Sequence, residues 1–203
     1  MFVQVDYEET GMFDQIITEC TIFNPTLERA FKVAPKEFVP AYQWFIDHEN
    51  SEIDKLPHRL EKGFTVGGIP ISRDSGIYSP SKSKVSYGLK QYALSVHTSN
   101  GNGLYEDGEP IYYSDDTWSI EYSEHIKTQG NQVQSKLYNA LLMNCLNDGL
   151  PIGLFIKDKN KKYKVMGLAF VERYNSATGM FTLHGPVNAK TVNNSSFISA
   201  GFD

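Results

Sequence analysis

A chain of 203 residues, 40% of them hydrophobic, is long enough to bury one sizeable core. Its net charge of −5 argues against a nonspecific nucleic-acid binder, and two cysteines are too few for a disulfide framework. No apolar run approaches the roughly 18 residues of a membrane span, and the N-terminus lacks the pattern of a signal peptide. We therefore expect a soluble cytoplasmic protein.

The charge is unevenly distributed along the chain. Residues 1–56 carry 11 acidic and 4 basic side chains, whereas residues 57–203 carry 13 acidic and 15 basic ones. The basic residues of the second part cluster in two lysine-rich segments, 79–90 and 157–164. Each cluster by itself is typical of a solvated loop, so a DNA-contacting surface is expected only on the larger C-terminal part.

The N-terminal region, residues 1–62, is predicted to form short helices. Asn24 is a good N-cap with Pro25 at the first helical position, and Pro35 ends that helix. A second candidate helix follows Pro40. We interpret this region as a helical segment or cap.

From residue 63 onward the pattern is typical of short strands, with one helix. Four runs rich in β-branched and aromatic residues precede the helix, and three follow it. Turn sequences at residues 157–162 and 175–179 predict that the last three strands form an antiparallel meander. The predicted buried face of the helix consists of Val133, Leu137, Ala140, Leu141 and Cys145.

This order of elements predicts an α+β fold. We expect a curved antiparallel sheet or a small open β-barrel with one prominent helix, in residues 63–187. Residues 188–203 are polar and are predicted to be a C-terminal tail or linker.

Residues 91–186 resemble the SRA (SET-and-RING-associated, or YDG) domain. The aliphatic strand, the Gly-Tyr-Glu-Asp-Asp turn and the Tyr-Thr-Gly strand of that family are matched by residues 94–96, 104–107 and 112–114. Its Asn-x-Ala-Leu helix and its last two motif strands are matched at 139–141, 151–155 and 164–171.

The chain also departs from the family pattern. Val165-Met166-Gly167 stands where the family has Tyr-Asp-Gly, Ser114-Asp115 replaces Thr-Gly, and Gly153 replaces the arginine of Pro-Val-Arg. These changes are typical of a diverged microbial branch, found in modification-dependent restriction enzymes with a separate nuclease domain.

The resemblance implies a reader of 5-methyl- or 5-hydroxymethylcytosine that flips the base out of double-stranded DNA. Such a pocket needs aromatic walls and a polar group at the Watson–Crick edge. Tyr105 with Tyr113 or Tyr112 would supply the walls, and Asp107 would accept a hydrogen bond from the exocyclic amine. The remaining contacts are expected from Ser114, Gly103 and Leu104.

Contacts to the DNA backbone are expected from basic side chains and from one helix residue. The candidates are Arg73, Lys82, Lys84, Lys90 and Asn139. For Asn139, a structural role inside the fold is favoured over a DNA contact. His97 is interpreted as a packed histidine.

Other functions remain open from the sequence alone. A PUA-like module for RNA or modified nucleotides would show a similar order of elements, and a protein-interaction domain would use its tyrosines only for packing. No catalytic motif, metal-ligand spacing or cofactor fingerprint is recognisable, although a DNA-cleaving site built by distant residues stays possible. The expected partners are modified duplex DNA and a nuclease domain or subunit.

Overall fold

The computed structural model describes residues 18–20, 25–98, 107–125 and 132–188, with the backbone alone at 18–20 and 132–134. Within these ranges the chain forms an α+β fold with a mostly antiparallel, open sheet of nine strands. Four helices accompany the sheet in the described residues. In chain order the elements are β1 Thr18–Cys20, α1 Leu27–Val33, α2 Phe38–Asp47, β2 Glu52–Ile53, α3 Pro57–Leu60, β3 Ile77–Tyr78, β4 Ser95–His97, β5 Ile111–Tyr112, β6 Trp118–Ser123, α4 Gln132–Asp148, β7 Pro151–Lys157, β8 Tyr163–Asn175 and β9 Met180–Gly185.

The two N-terminal helices form, but their boundaries differ from the prediction. The N-cap of α1 is Thr26, whose hydroxyl accepts a hydrogen bond from the backbone N–H of Arg29 at 3.2 Å, so the prediction of Asn24 as N-cap was wrong. Helix α2 starts at Phe38 and contains Pro40 in its first turn. Proline is tolerated there because the first backbone N–H groups of a helix have no partner within the helix.

The strand order across the sheet is β3-β4-β7-β8-β9-β6-β5, with β1 and β2 also paired to β8. The predicted meander β7-β8-β9 is confirmed by its antiparallel registers. The β4–β7 pair is parallel, which corrects the expectation of a wholly antiparallel sheet. A parallel pair needs a long crossover connection, and the chain between these strands, which includes α4, provides it.

A bulge in β8 shifts the alternation of its side chains between the two faces of the sheet by one residue. Gly167 has φ +83° and interrupts the register opposite Leu154 and Phe155. Val165 and Leu168 therefore share one face although they are three residues apart, and both faces of the central strands are apolar.

Helices α4 and α2 cover opposite faces of β7 and β8. On one face α4 packs against residues such as Ile152 and Leu154, and on the other α2 packs against Phe155. Leu137 is 54% exposed and Ala140 is also exposed, so the predicted face of α4 was partly wrong. The buried residues of α4 are Leu141, Leu142, Cys145 and Leu146.

The described part of residues 1–62 packs directly on the sheet. Helix α2 buries Phe38, Tyr42 and Phe45, and β2 pairs with the start of β8. None of the helices in the described ranges combines the length and apolar composition needed to cross a membrane.

Candidate functional site

A cavity of about 230 Å³ opens where distant parts of the sheet meet. Strands β4 and β6 lie four places apart in the strand order. Gly76, which directly precedes the β4 partner strand β3, nevertheless lies close to Tyr122 of β6: a Cβ added to Gly76 would come within 2.9 Å of the Tyr122 hydroxyl oxygen. The sheet therefore curls strongly without closing by hydrogen bonds among the described strands. The cavity is lined by residues 74–76, His97, Asp107, Tyr122, Ser123 and His125.

Asp107 is held at the cavity by strand β6. Its Oδ1 accepts a hydrogen bond from the backbone N–H of Ser123 at 3.1 Å. The next residue, Gly108, donates its N–H to the carbonyl of Glu121 at 2.7 Å. These contacts fix the carboxylate of Asp107 beside Tyr122, whose ring packs against the core.

His97 forms another wall of the cavity. Its Nδ1 lies 3.4 Å from the carbonyl oxygen of Thr98, and its buried Nε2 has no hydrogen-bond partner. Burial lowers the pKa of His97, and the nearby carbonyls of Thr98 and Asp74 and the charge of Asp107 oppose that shift. A neutral imidazole with an unpartnered nitrogen is a polar group that a ligand can satisfy.

Asp74, at the cavity edge, belongs to a hydrogen-bonded network with residues of α3. Its Oδ1 accepts from Arg59 Nε at 2.6 Å and lies 2.8 Å from His58 Nε2. His58 Nδ1 lies 3.0 Å from the hydroxyl of Ser72. The order Ser72–His58–Asp74 is that of a catalytic triad, but the serine is only 1% exposed while the Asp74 side chain is 63% exposed. A nucleophile must reach its substrate, so this network positions Asp74 and does not support acyl-transfer chemistry.

The network lowers the pKa of Asp74, which gives a testable pH dependence. The hydrogen bond from Arg59, then that from His58, lowers the pKa of Asp74 from 3.8 to about 2. Since the folded-state pKa is depressed, the stabilising interaction is complete above about pH 4 and is lost as the pH falls toward 2. We expect Arg59→Gln to move the pKa of Asp74 back toward 3.8, measured by NMR titration of the carboxyl carbons.

The control for this titration is Asp115. Its pKa is lowered by hydrogen bonds from Thr117, with no involvement of Arg59. It should titrate identically in the wild type and in Arg59→Gln. An unchanged Asp74 titration in the variant would contradict the assignment of Arg59 as the main cause.

The aromatic residues predicted to bind the base occupy different places. Tyr112 and Tyr113 are 61% and 46% exposed, and neither lines the cavity. Tyr113 places its hydroxyl 2.7 Å from that of Ser119, and Ser114 is exposed in the turn after β5. Predicted contacts outside the described residues are Tyr105, Gly103 and Leu104.

The predicted backbone-contacting residues are also dispersed. Arg73 is exposed and precedes Asp74 in the chain. Burial raises the pKa of the Tyr78 hydroxyl, and the charge of Arg73 partly opposes that shift. Lys82 and Lys84 are exposed in one loop, whereas Lys90 forms an ion pair with Asp148 at 2.9 Å.

Asn139 links α4 to the end of β6. Its Oδ1 accepts from the backbone N–H of His125 at 2.7 Å, and its Nδ2 lies 3.3 Å from a carboxylate oxygen of Glu124. These bonds fit the structural role favoured for this residue. Among the residues that the structure describes, no group of three or more His, Cys, Asp or Glu side chains is arranged to hold a metal ion.

Of these cavity-lining residues, only Asp107 was predicted from the sequence as a base contact; Asp74 and Tyr122 were not predicted, and His97 was interpreted as a packed histidine. These residues come from separate parts of the chain, and no local motif connects them. No protein-family model, curated protein or solved structure matches this chain.

Proposed function

We propose that this chain binds duplex DNA and receives a modified cytosine, extruded from the helix, in the cavity beside Asp107. The observation that carries the proposal is the position of Asp107. This residue, expected to read the base amine, lines a cavity of about 230 Å³. Pockets for drug-sized ligands span about 300–1,000 Å³, so a cavity below that range suits one planar base.

The groups around the cavity complement the polar edge of cytosine. An ionised carboxylate accepts a hydrogen bond from the exocyclic amine, as acidic side chains do with cytosine in the major groove. Tyr122 and His97 add aromatic side chains to the cavity lining. Stacking contributes roughly 1–3 kcal/mol per base, which is comparable to the few kcal/mol lost on unstacking, so hydrogen bonds must supply the selectivity.

The assignment of the fold to an SRA-like or PUA-like type is part of the same proposal. We infer an SRA-like or PUA-like fold from the resemblance in residues 91–186, and the curled, open sheet around α4 supports it. On this basis the chain is the recognition part of a modification-dependent restriction system, and its partner is a nuclease domain or subunit.

A binding panel tests the proposal. Duplexes carrying one unmodified, 5-methyl-, 5-hydroxymethyl- or glucosylated cytosine are compared with single-stranded RNA by fluorescence anisotropy at two salt concentrations. We expect the methyl or hydroxymethyl duplex to bind most tightly and the glucosylated one to bind more weakly, because the hexose would have to share the cavity of about 230 Å³ with the base. Equal affinity for all duplexes would contradict the proposal, and tighter RNA binding would favour a PUA-like RNA module.

Asp107→Asn is expected to abolish most of the preference for a duplex that carries 5-methylcytosine over one that carries thymine at the same position, because the exocyclic amine that Asp107 would read is present only in the first. Asparagine has one amide oxygen, which can keep the hydrogen bond from the Ser123 backbone N–H. The amide N–H₂ group then replaces the second carboxylate oxygen, and this donor faces the donor amine of the base. Loss of one base-reading contact is worth about 1–3 kcal/mol, or roughly 5- to 150-fold in Kd. The ratio of the Kd values for the 5-methylcytosine and thymine duplexes is the measurement.

The matched control is Asp116→Asn. Asp116 is exposed in the turn after β5, outside the cavity, and has φ +64°, which asparagine tolerates well. This variant makes the same change in charge and should keep the wild-type preference. Equal loss in the two variants would show that charge alone was responsible.

A further inference from the structure

A second feature lies next to the cavity: the hairpin that joins β7 to β8. Tyr163, at the start of β8, packs edge-on against the cavity residue His97, with ring centroids 6.1 Å apart. Lys157 places its ammonium 5.9 Å from the centroid of the Tyr163 ring, and its backbone N–H donates to the Thr98 hydroxyl at 3.1 Å. The base of the hairpin is therefore in contact with the cavity wall.

The turn of the hairpin is held in one shape by Asp158. Its carboxylate accepts from the backbone N–H of Lys162 at 2.7 Å and from the side-chain amide of Asn160 at 3.4 Å. The backbone N–H of Asp158 donates to the carbonyl of Lys162 at 2.8 Å. The acidic residue of this segment is thus engaged within the turn, and the exposed residues at the tip are Lys159, Asn160, Lys161 and Lys162.

The other two lysines of the segment already have counterparts. Lys162 forms an ion pair with Asp54 at 3.2 Å. Lys164 stands opposite Glu52 in the β2–β8 register and lies 5.8 Å from the Tyr112 ring centroid. The positive charge left at the tip and at the cavity side is carried by Lys157, Lys159 and Lys161.

We propose that the β7–β8 hairpin grips the DNA backbone beside the cavity through Lys157, Lys159 and Lys161. This inference rests on the proposed DNA binding and adds an electrostatic contact that holds the duplex while a base enters the cavity. Phosphate contacts by lysine position a protein on the duplex without reading its sequence. The hairpin therefore contributes to affinity for any duplex, and Asp107 contributes to discrimination between them.

The test is the salt dependence of binding to modified and unmodified duplex DNA. Each phosphate contact adds about 0.9 to the magnitude of the slope of log K against log salt concentration. Lys159→Gln combined with Lys161→Gln should lower that magnitude by about 1.8 and weaken binding about fivefold per lysine at 0.15 M salt. The ratio of affinities for modified and unmodified DNA should not change.

Two further variants separate this effect from folding and from simple charge loss. Lys162→Gln removes the ion-paired lysine of the same hairpin and should leave the slope unchanged. Lys161 has φ +68°, a left-handed conformation that glycine adopts more readily than a residue with a Cβ atom. Lys161→Gly should therefore raise the melting temperature by a few degrees and still lower the slope by about 0.9.

Each outcome distinguishes the hairpin from the cavity. An unchanged slope in the double variant, with discrimination intact in the wild type, overturns the hairpin contact and leaves the proposed function standing. If the double variant lowers the slope but the wild type binds modified and unmodified DNA equally, the hairpin contact is supported and modified-base recognition is overturned. If the double variant loses the discrimination between modified and unmodified DNA, the lysines contact the base and the proposed contact with the DNA backbone is overturned. Absence of binding to every duplex overturns both proposals.

Discussion

Gly153→Ala is expected to destabilise the fold by about 3 kcal/mol, because the ring of Phe45 occupies the space of a side chain at this position. A Cβ added to Gly153 would lie 2.1–2.3 Å from three ring carbons of Phe45. Phe45 is fully buried and also packs edge-on against Phe155, with ring centroids 5.1 Å apart. The Phe45 ring cannot move away without disturbing its contact with Phe155. The loss of stability is measured as a lower urea midpoint of unfolding.

The control for this substitution is Gly88→Ala. Nothing lies within 4 Å of a Cβ at Gly88, so the change should stay within about 0.5 kcal/mol of the wild type. In a Phe45→Ala background, Gly153→Ala should cost much less than it does alone, because the clashing ring is gone. Additive effects of the two substitutions would contradict the proposed contact.

The close approach of the Phe45 ring leaves no space for a side chain at position 153. In the resemblance to the SRA domain, Gly153 stands where the family has an arginine. The structure fills the corresponding space with an aromatic ring from α2. The change on β7 and the presence of Phe45 are thus two sides of one packing arrangement.

Local signals predicted the local structure well. The hairpin turns at residues 157–162 and 175–179 carry their own turn chemistry, and the meander they predict is confirmed. The prediction of the buried face of α4 was partly wrong. Leu137 and Ala140 continue the apolar pattern at helical spacing, but they lie beyond the part of the helix that the sheet covers.

Non-local features were not predictable from the sequence. The parallel pairing of β4 with β7 depends on strands more than 50 residues apart. The cavity likewise requires the loop at Asp74 to meet Tyr122 through a curled sheet. Neither arrangement leaves a periodic pattern or a motif in the chain, so Asp107 could be singled out only through the resemblance.

Removal of residues 1–62 is expected to prevent stable folding of the remaining chain. Helix α2 contributes Phe38, Ala41, Tyr42 and Phe45, all fully buried, to the face of the sheet that carries Phe155 and its neighbours. Burial of each large apolar side chain contributes about 1.5–3 kcal/mol, so the three aromatic rings account for roughly 5–9 kcal/mol. The whole stability of a domain is about 5–15 kcal/mol.

Thermal unfolding followed by circular dichroism tests this expectation, with dye binding as a measure of exposed apolar surface. A chain that begins at residue 18 keeps every described element and should unfold cooperatively like the full chain. A chain that begins at residue 63 should show no cooperative transition and should bind the dye, because one apolar face of β7 and β8 is uncovered. Cooperative unfolding of that shorter chain near the wild-type temperature would instead establish the N-terminal helices as a separable cap, because the sheet would then not need α2 to fold.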